Sequence, residues 1–225
     1  MVRIIDIKQS VFADNDADAA RLREQLKERG VFLVNLMSSP GAGKTSLLRQ
    51  TIAALKTDYR IGVMEADIDS AVDAEALSEL GVSVIQLHTG GMCHLDADMT
   101  RQGLTELGAL ADDSPFDLVF LENVGNLVCP AEFDTGASRN VMILSVPEGD
   151  DKPLKYPLMF QVSQAVVVNK MDAISLFDFD PEKARTRAAQ RNPEAAFFTL
   201  SARTGEGLAP WLEWLKAQIA ADRGQ

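Results

Sequence analysis

Cysteine and histidine are scarce in this chain. Two of each stand in 225 residues: Cys93, Cys129, His88 and His94. Two cysteines cannot make a disulfide framework, and in a cytoplasmic chain they are expected to be thiols. Basic residues are also outnumbered. Lys plus Arg is 22 against 33 for Asp plus Glu, a net charge of −11. That balance argues against nucleic acid and anionic membranes as partners, though not against metal cations or basic proteins. No apolar run approaches the ~18 residues that a membrane span needs. Met1 to Asp16 scatters Arg3, Asp6, Lys8 and Asp14 among its apolar residues, unlike a signal peptide. A cytoplasmic location is the expectation. Repeats, low-complexity tracts and long linkers are missing too.

What is present is a globular composition, 46% hydrophobic, in a chain long enough to bury a sizeable core. Short apolar runs of strand length fall at 31–37, 60–66, 82–87, 116–121, 141–146, 165–168 and 196–200. Helical stretches fall at 16–29, 44–56, 70–80, 95–110, 181–191 and 208–221. The alternation predicts an α/β fold, a mainly parallel seven-stranded sheet with helices on both faces. Ligands of such sheets bind at the carboxyl ends of the strands.

The loop after the first strand reads Ser38-Ser39-Pro40-Gly41-Ala42-Gly43-Lys44-Thr45. It matches the phosphate-binding pattern G-x-x-x-x-G-K-[ST], with Ser38 in place of the first glycine. Gly41, Ala42 and Gly43 would turn backbone N–H groups onto phosphates at a helix N-terminus. Lys44 would reach the β- and γ-phosphates, Thr45 would ligate Mg²⁺, and Ser46 follows beside the nucleotide. A P-loop NTPase fold is therefore expected over residues 31–225, with residues 1–30 a segment and helix packing on that core. The sixth strand runs into Asn169-Lys170-Met171-Asp172, an N-K-x-D pattern. A carboxylate at Asp172 accepts from guanine N1–H and the exocyclic amine, an edge that adenine lacks. Ser201-Ala202-Arg203 follows the seventh strand, where related sites use a backbone N–H on guanine O6. GTP rather than ATP is the expected nucleotide.

The fourth strand ends at Glu122, and Glu122-Asn123-Val124-Gly125 stands where a D-x-x-G switch would be. Glu122 would hold Mg²⁺ and Gly125 would sense the γ-phosphate. Asp67, ending the second strand, is a candidate for Mg²⁺ or for orienting the attacking water, with Asp69 the alternative. Arg139 and Lys152 are candidates for charge at the transition state, in cis or from a partner subunit, and turnover is expected to be slow. Cys93-His94 follows the third strand, and Cys129 lies four residues after Gly125. Thiolate and imidazole suit Zn²⁺ and Ni²⁺. Metal ligation and phosphate sensing would share one loop.

Taken together, the Ser38–Thr45 loop, Gly91-Met92-Cys93-His94-Leu95, Glu122 to Pro130, Glu148 to Pro157 and Asn169 to Asp172 resemble the HypB family, the hydrogenase nickel-incorporation GTPases. This is a family of the signal-recognition-particle/MinD-like (SIMIBI) class of P-loop GTPases. The resemblance runs from about Arg21 to Leu215. It implies GTP hydrolysis to GDP that promotes nickel delivery to the [NiFe]-hydrogenase large subunit. It also implies a Cys93–His94–Cys129 site for nickel or zinc at a GTP-dependent homodimer interface, and a HypA-type chaperone as partner. Neither the C-x-x-C-G-C site nor the His-rich tract of some members is in this sequence, so high-affinity nickel storage is not expected. His88 is expected to be structural. Lys152 or Lys155 would contact nucleotide or partner. The rival readings are a urease or cobalamin-enzyme metallocentre GTPase, an ATP-dependent small-molecule kinase, and a scaffold that binds GTP without a metal.

Overall fold

A computed structural model describes residues 7–67 and 72–224. The strands are β1 (Phe32–Ser38), β2 (Ile61–Asp67), β3 (Ser83–His88), β4 (Leu118–Glu122), β5 (Arg139–Ser145), β6 (Ala165–Asn169) and β7 (Ala196–Thr199). They form one sheet in the order β3-β2-β4-β1-β5-β6-β7, with every neighbouring pair parallel. The helices are α1 (Ile7–Glu28), α2 (Lys44–Leu55), α3 (Val72–Ser78), α4 (Ala97–Leu107), α5 (Cys129–Glu132), α6 (Lys152–Lys155), α7 (Pro157–Gln161), α8 (Pro181–Ala189) and α9 (Leu208–Asp222). This is the expected α/β architecture, a P-loop NTPase fold.

The strand sequences follow from burial on both faces. Every residue of β1, β4 and β6 is buried. Such strands read as continuous apolar runs rather than as alternation. Val34, Leu36, Phe120, Ile143 and Val167 point to one face, where they meet Leu48 and Ile52 of α2 and Trp211 and Leu215 of α9. Leu33, Val119 and Leu121 point to the other, against Leu22 and Leu26 of α1 and Leu104 of α4. Farther along that face Met142, Leu144 and Val168 pack on Met159 and Phe160 of α7 and Ala184 of α8.

Helix α1 begins at Ile7, well before the expected start at residue 16. In its early part Phe12 and Asn15 contact other segments. The short helices α5, α6 and α7 span too few residues for periodicity to show, and each carries Pro in its first turn. Of the helix expected over 70–80, Val72–Ser78 is helical, while 70 and 71 lie outside the described residues. Among the described residues, no helix is long and apolar enough to cross a membrane.

At the amino edge of the sheet, Asp117 fastens β2, β4 and α9 together. Its carboxylate accepts from Arg60 N and Nε at 2.8 and 2.9 Å and from Arg223 Nη2 at 2.9 Å. The Arg60 hydrogen bonds, outweighing burial, hold this carboxyl far below the ordinary carboxylate range. A lowered folded-state pKa gives stability that is complete above the unfolded value, about 4. It is lost as pH falls towards the folded value. Asp117→Asn is therefore expected to lower the urea midpoint at pH 7, with the gap to wild type narrowing steadily below pH 4.

Candidate functional site: a nucleotide cleft beside a thiol–imidazole cluster

Strand β1 delivers its last residue, Ser38, fully buried, into the phosphate loop. Gly41 and Gly43 take φ of 73° and 96°, which side-chain-bearing residues avoid, whereas Ser38 has no positive φ. That is why serine is tolerated where the consensus has glycine. A Cβ on Gly43 would stand 2.5 Å from Asn169 Nδ2. Lys44 Nζ donates to Ser38 Oγ at 3.2 Å, and Thr45 Oγ1 donates to Glu122 Oε1 at 2.8 Å. Ser39 Oγ donates to Glu148 Oε1. The other oxygen of Glu148 accepts from Ser145 N and Oγ, both at 2.7 Å.

The base side is assembled around Asn169. Its Nδ2 donates to Ala42 O at 3.0 Å, and its Oδ1 accepts from Ala202 N at 2.9 Å and Lys170 N at 2.7 Å. One buried amide thus ties the phosphate loop to both base-reading segments. Among the described residues Lys170 alone, apart from glycines, has a positive φ, 63°. Its Nζ donates to Gly41 O at 2.6 Å. Asp172 Oδ1 accepts from Ser201 Oγ at 2.6 Å, and Oδ2 from the exposed Arg203 at 3.4 Å. The Ser201 hydroxyl first, and Arg203 after it, lower the pKa of Asp172, so it is ionised at neutral pH. A cavity of about 180 Å³ is lined by Gly43, Ser46, Asn169, Lys170, Asp172, Ala173, Ala202 and Arg203.

Two buried acids stand next to each other at the carboxyl edge. Glu65 on β2 is in register with Glu122 on β4, and both face the α2 side. Gly125 lies against the phosphate loop so closely that a Cβ there would be 3.0 Å from Pro40 Cα. Four residues on, Cys129 opens α5. Cys93 reaches it from the loop after β3, with its Sγ 2.8 Å from Cys129 Sγ and 3.9 Å from His94 Nδ1. Ligand atoms of Cys93, His94 and Cys129 all lie within 4.8 Å of one another, the one such group of three among the described residues. Burial pushes the His94 imidazole below its ordinary value, towards the neutral form that ligates metals. The Cys93 sulfur and burial push the Cys129 thiol up.

The CobW/HypB/UreG nucleotide-binding domain family matches residues 32–199. The hydrogenase maturation factor HypB of Rhizobium leguminosarum bv. viciae is 44% identical over 97% of this chain and 72% of its own length. The hydrogenase/urease maturation factor HypB of Helicobacter hepaticus is 42% identical over 96% of this chain and 88% of its own. The chain belongs to the HypB family. Among solved structures, HypB from Helicobacter pylori in complex with nickel superposes with a TM-score of 0.85 at 38% identity, covering 93% of this chain and 97% of that one. HypB from Archaeoglobus fulgidus gives 0.84 at 36% identity, covering 92% and 99%.

Within this HypB-family fold most of the residues singled out from sequence come together. Lys44, Thr45 and Glu122 meet at the phosphate loop, and Ser46, Asn169, Lys170, Asp172 and Ala202 meet at the cavity, where Ser201 bonds Asp172. Asp67 is the last residue of β2, and Asp69 lies outside the described residues. For Arg139, expected to act in cis or from a partner subunit, the in-cis half is corrected. This residue opens β5 at the amino edge, opposite the phosphate loop, where Nε donates to Gln218 and the guanidinium covers Phe32. It supplies no charge to a nucleotide bound by the same chain. Lys152 lies over the Tyr156 ring and Lys155 pairs with Asp151 at 2.6 Å. His88 ends β3, exposed and outside the thiol cluster. Glu65 was given no role from the sequence, where Asp67 two residues later drew the attention.

Proposed function

We propose that this chain is a GTP-hydrolysing metallochaperone. In this reading it binds nickel, or zinc, at Cys93, His94 and Cys129 and promotes nickel insertion into [NiFe]-hydrogenase. The observation that carries it is the placement of Cys129. The connection that leaves β4 through Glu122 and Gly125 carries Cys129 seven residues after Glu122, and Cys129 meets Cys93 and His94 from the loop after β3. Loop rearrangement on γ-phosphate loss would then change the metal site. By linkage the metal would bias nucleotide affinity equally.

The division of labour follows from the side chains. Gly41, Ala42 and Gly43 offer backbone N–H groups to the phosphates, Lys44 neutralises their charge, and Gly125 meets the γ-phosphate. Thr45, Glu122 and Asp67 form an all-oxygen donor set of the kind that Mg²⁺ requires. Mg²⁺, when bound there, supplies charge neutralisation at the β- and γ-phosphates. Asp67 orients the attacking water. Asp172 reads guanine, with Ser201 and Ala202 behind it. The metal-bearing surface is assigned to a nucleotide-dependent homodimer. A HypA-type chaperone and the hydrogenase large subunit are the assigned partners, and the cytoplasm is the assigned location. Two exposed apolar side chains, Met92 and Val128, flank the cysteines and suit such an interface.

The test is phosphate release from GTP and ATP, with Ni²⁺ titrations of the protein in GDP and in a non-hydrolysable GTP analogue. Slow hydrolysis confined to GTP is expected, with nickel affinities that differ about 5–150-fold between the two nucleotides. Equal use of ATP would favour a kinase-like enzyme. Nickel affinity independent of nucleotide would leave a GTPase that docks but does not switch a metal.

A further inference from the structure

Phe12 and Asn15 lie in the early turns of α1. They pack on the two segments that carry the metal ligands. Asn15 Nδ2 donates to Asp134 O at 3.0 Å, just beyond α5 and Cys129. Its Oδ1 accepts from Ala97 N at 3.0 Å, at the start of α4 and three residues after His94. That N–H is one of the groups a helix N-terminus leaves without a partner. Phe12 stands 5.0 Å from Phe133, and Phe133 stacks on the His94 imidazole at 3.8 Å with 12° between planes.

The same helix holds both segments again one and two turns later. Asp18 pairs with Arg101 of α4 at 3.1 Å. Arg23 Nη2 donates to both oxygens of Asp134 at 2.7 Å, and its Nε to Ala137 O at 2.9 Å. Cys93–His94 and Cys129 lie on connections leaving β3 and β4, strands separated by β2. Nothing covalent sets the distance between them. Two hydrogen bonds from a single carboxamide span that gap.

We propose that α1 is the scaffold of the metal site and that Asn15 is its positioning residue. It fixes the separation of the Cys93–His94 and Cys129 segments, while Phe133 fixes the plane of the His94 ring. This rests on the nickel reading above and extends it to a helix outside the nucleotide machinery. Groups that orient metal ligands typically contribute 10–100-fold in affinity.

The experiment is Ni²⁺ titration of the full chain against a chromophoric chelator. Thiolate-to-nickel absorption and GDP affinity are recorded in parallel. Asn15→Ala is expected to weaken nickel binding about 10-fold and to alter the charge-transfer band, with GDP affinity unchanged. Asn15→Asp keeps the acceptor for Ala97 N–H but sets a carboxylate oxygen against Asp134 O, acceptor facing acceptor, so it should weaken nickel binding at least as much as Asn15→Ala. Leu26→Val thins the packing of α1 at a buried position about three turns beyond Asn15. It should lower the melting temperature without moving nickel affinity. Nickel binding within twofold of wild type in Asn15→Ala overturns the proposal, as does equal weakening by Leu26→Val. A wild-type chain that takes up no Ni²⁺ overturns the nickel reading itself, and with it this extension.

Discussion

Replacing Asp172 with Asn is expected to lower GTP affinity by about 10²–10⁴-fold. Hydrogen bonds to a charged group contribute about 1.5–3 kcal/mol each, and guanine would offer two to this carboxylate. Asparagine keeps the volume and can still accept from Ser201. Its NH₂, however, would face the N1–H and amino group of guanine, donor against donor. Xanthine carries a carbonyl where guanine has the amine, so the variant should gain affinity for xanthosine triphosphate. Titration of fluorescent GTP, xanthosine triphosphate and ATP analogues checks both halves. Undiminished GTP affinity in the variant would mean that the base is read elsewhere than at the 180 Å³ cavity. The second oxygen of Asp172 bonds Arg203 at 3.4 Å, and that side chain is 86% exposed. An incoming base therefore competes with a weak, solvated partner.

Cys129→Ala should weaken Ni²⁺ binding by more than the roughly 100-fold upper range for losing a supporting group, because it removes a ligand. The thiolate-to-nickel absorption should drop as well. GTP affinity without metal should hold within about twofold, since the Cys129 side chain touches no nucleotide-site residue in the contacts described above. The informative comparison is between nucleotides. Wild type should bind nickel differently in GDP and in a GTP analogue, and the variant should not. Retained high-affinity nickel binding would move the metal away from the Cys93–His94–Cys129 cluster.

The parts of the site that were legible in the sequence are those in which contiguous residues do one job. The phosphate loop is a strand, a glycine-rich turn and a helix start in a single stretch. Its chemistry is written without knowledge of the fold. Asn169 to Asp172 and Ser201-Ala202 are similar, each at a strand end. The thiol cluster was half legible. Both cysteines could be placed on the carboxyl edge, but the contact between sulfurs 36 residues apart depends on strand order. Arg139 was proposed on charge alone, although its place just before the fifth strand already put it at the amino edge. Asn15 left no signal at all. It sits in the polar stretch Asp14-Asn15-Asp16, which reads as a solvated face. Its partners are backbone groups 82 and 119 residues away, and these have no residue signature.

The unequal burial of β3 and β4 has a consequence for how a bound metal leaves. Strand β3 is one of the two edge strands and is partly exposed along its whole length, whereas β4 is buried throughout and paired on both sides. Segments with few buried contacts open at a fraction of the global unfolding free energy, while central strands open only with the whole domain. Cys93 and His94 follow the cheap strand, and Cys129 follows the costly one. If this ligand set holds the metal as proposed, it divides into an arm that opens by local fraying and an anchor that stays. Under the proposed function, transfer to an acceptor would proceed one ligand at a time, with the remainder of the domain folded.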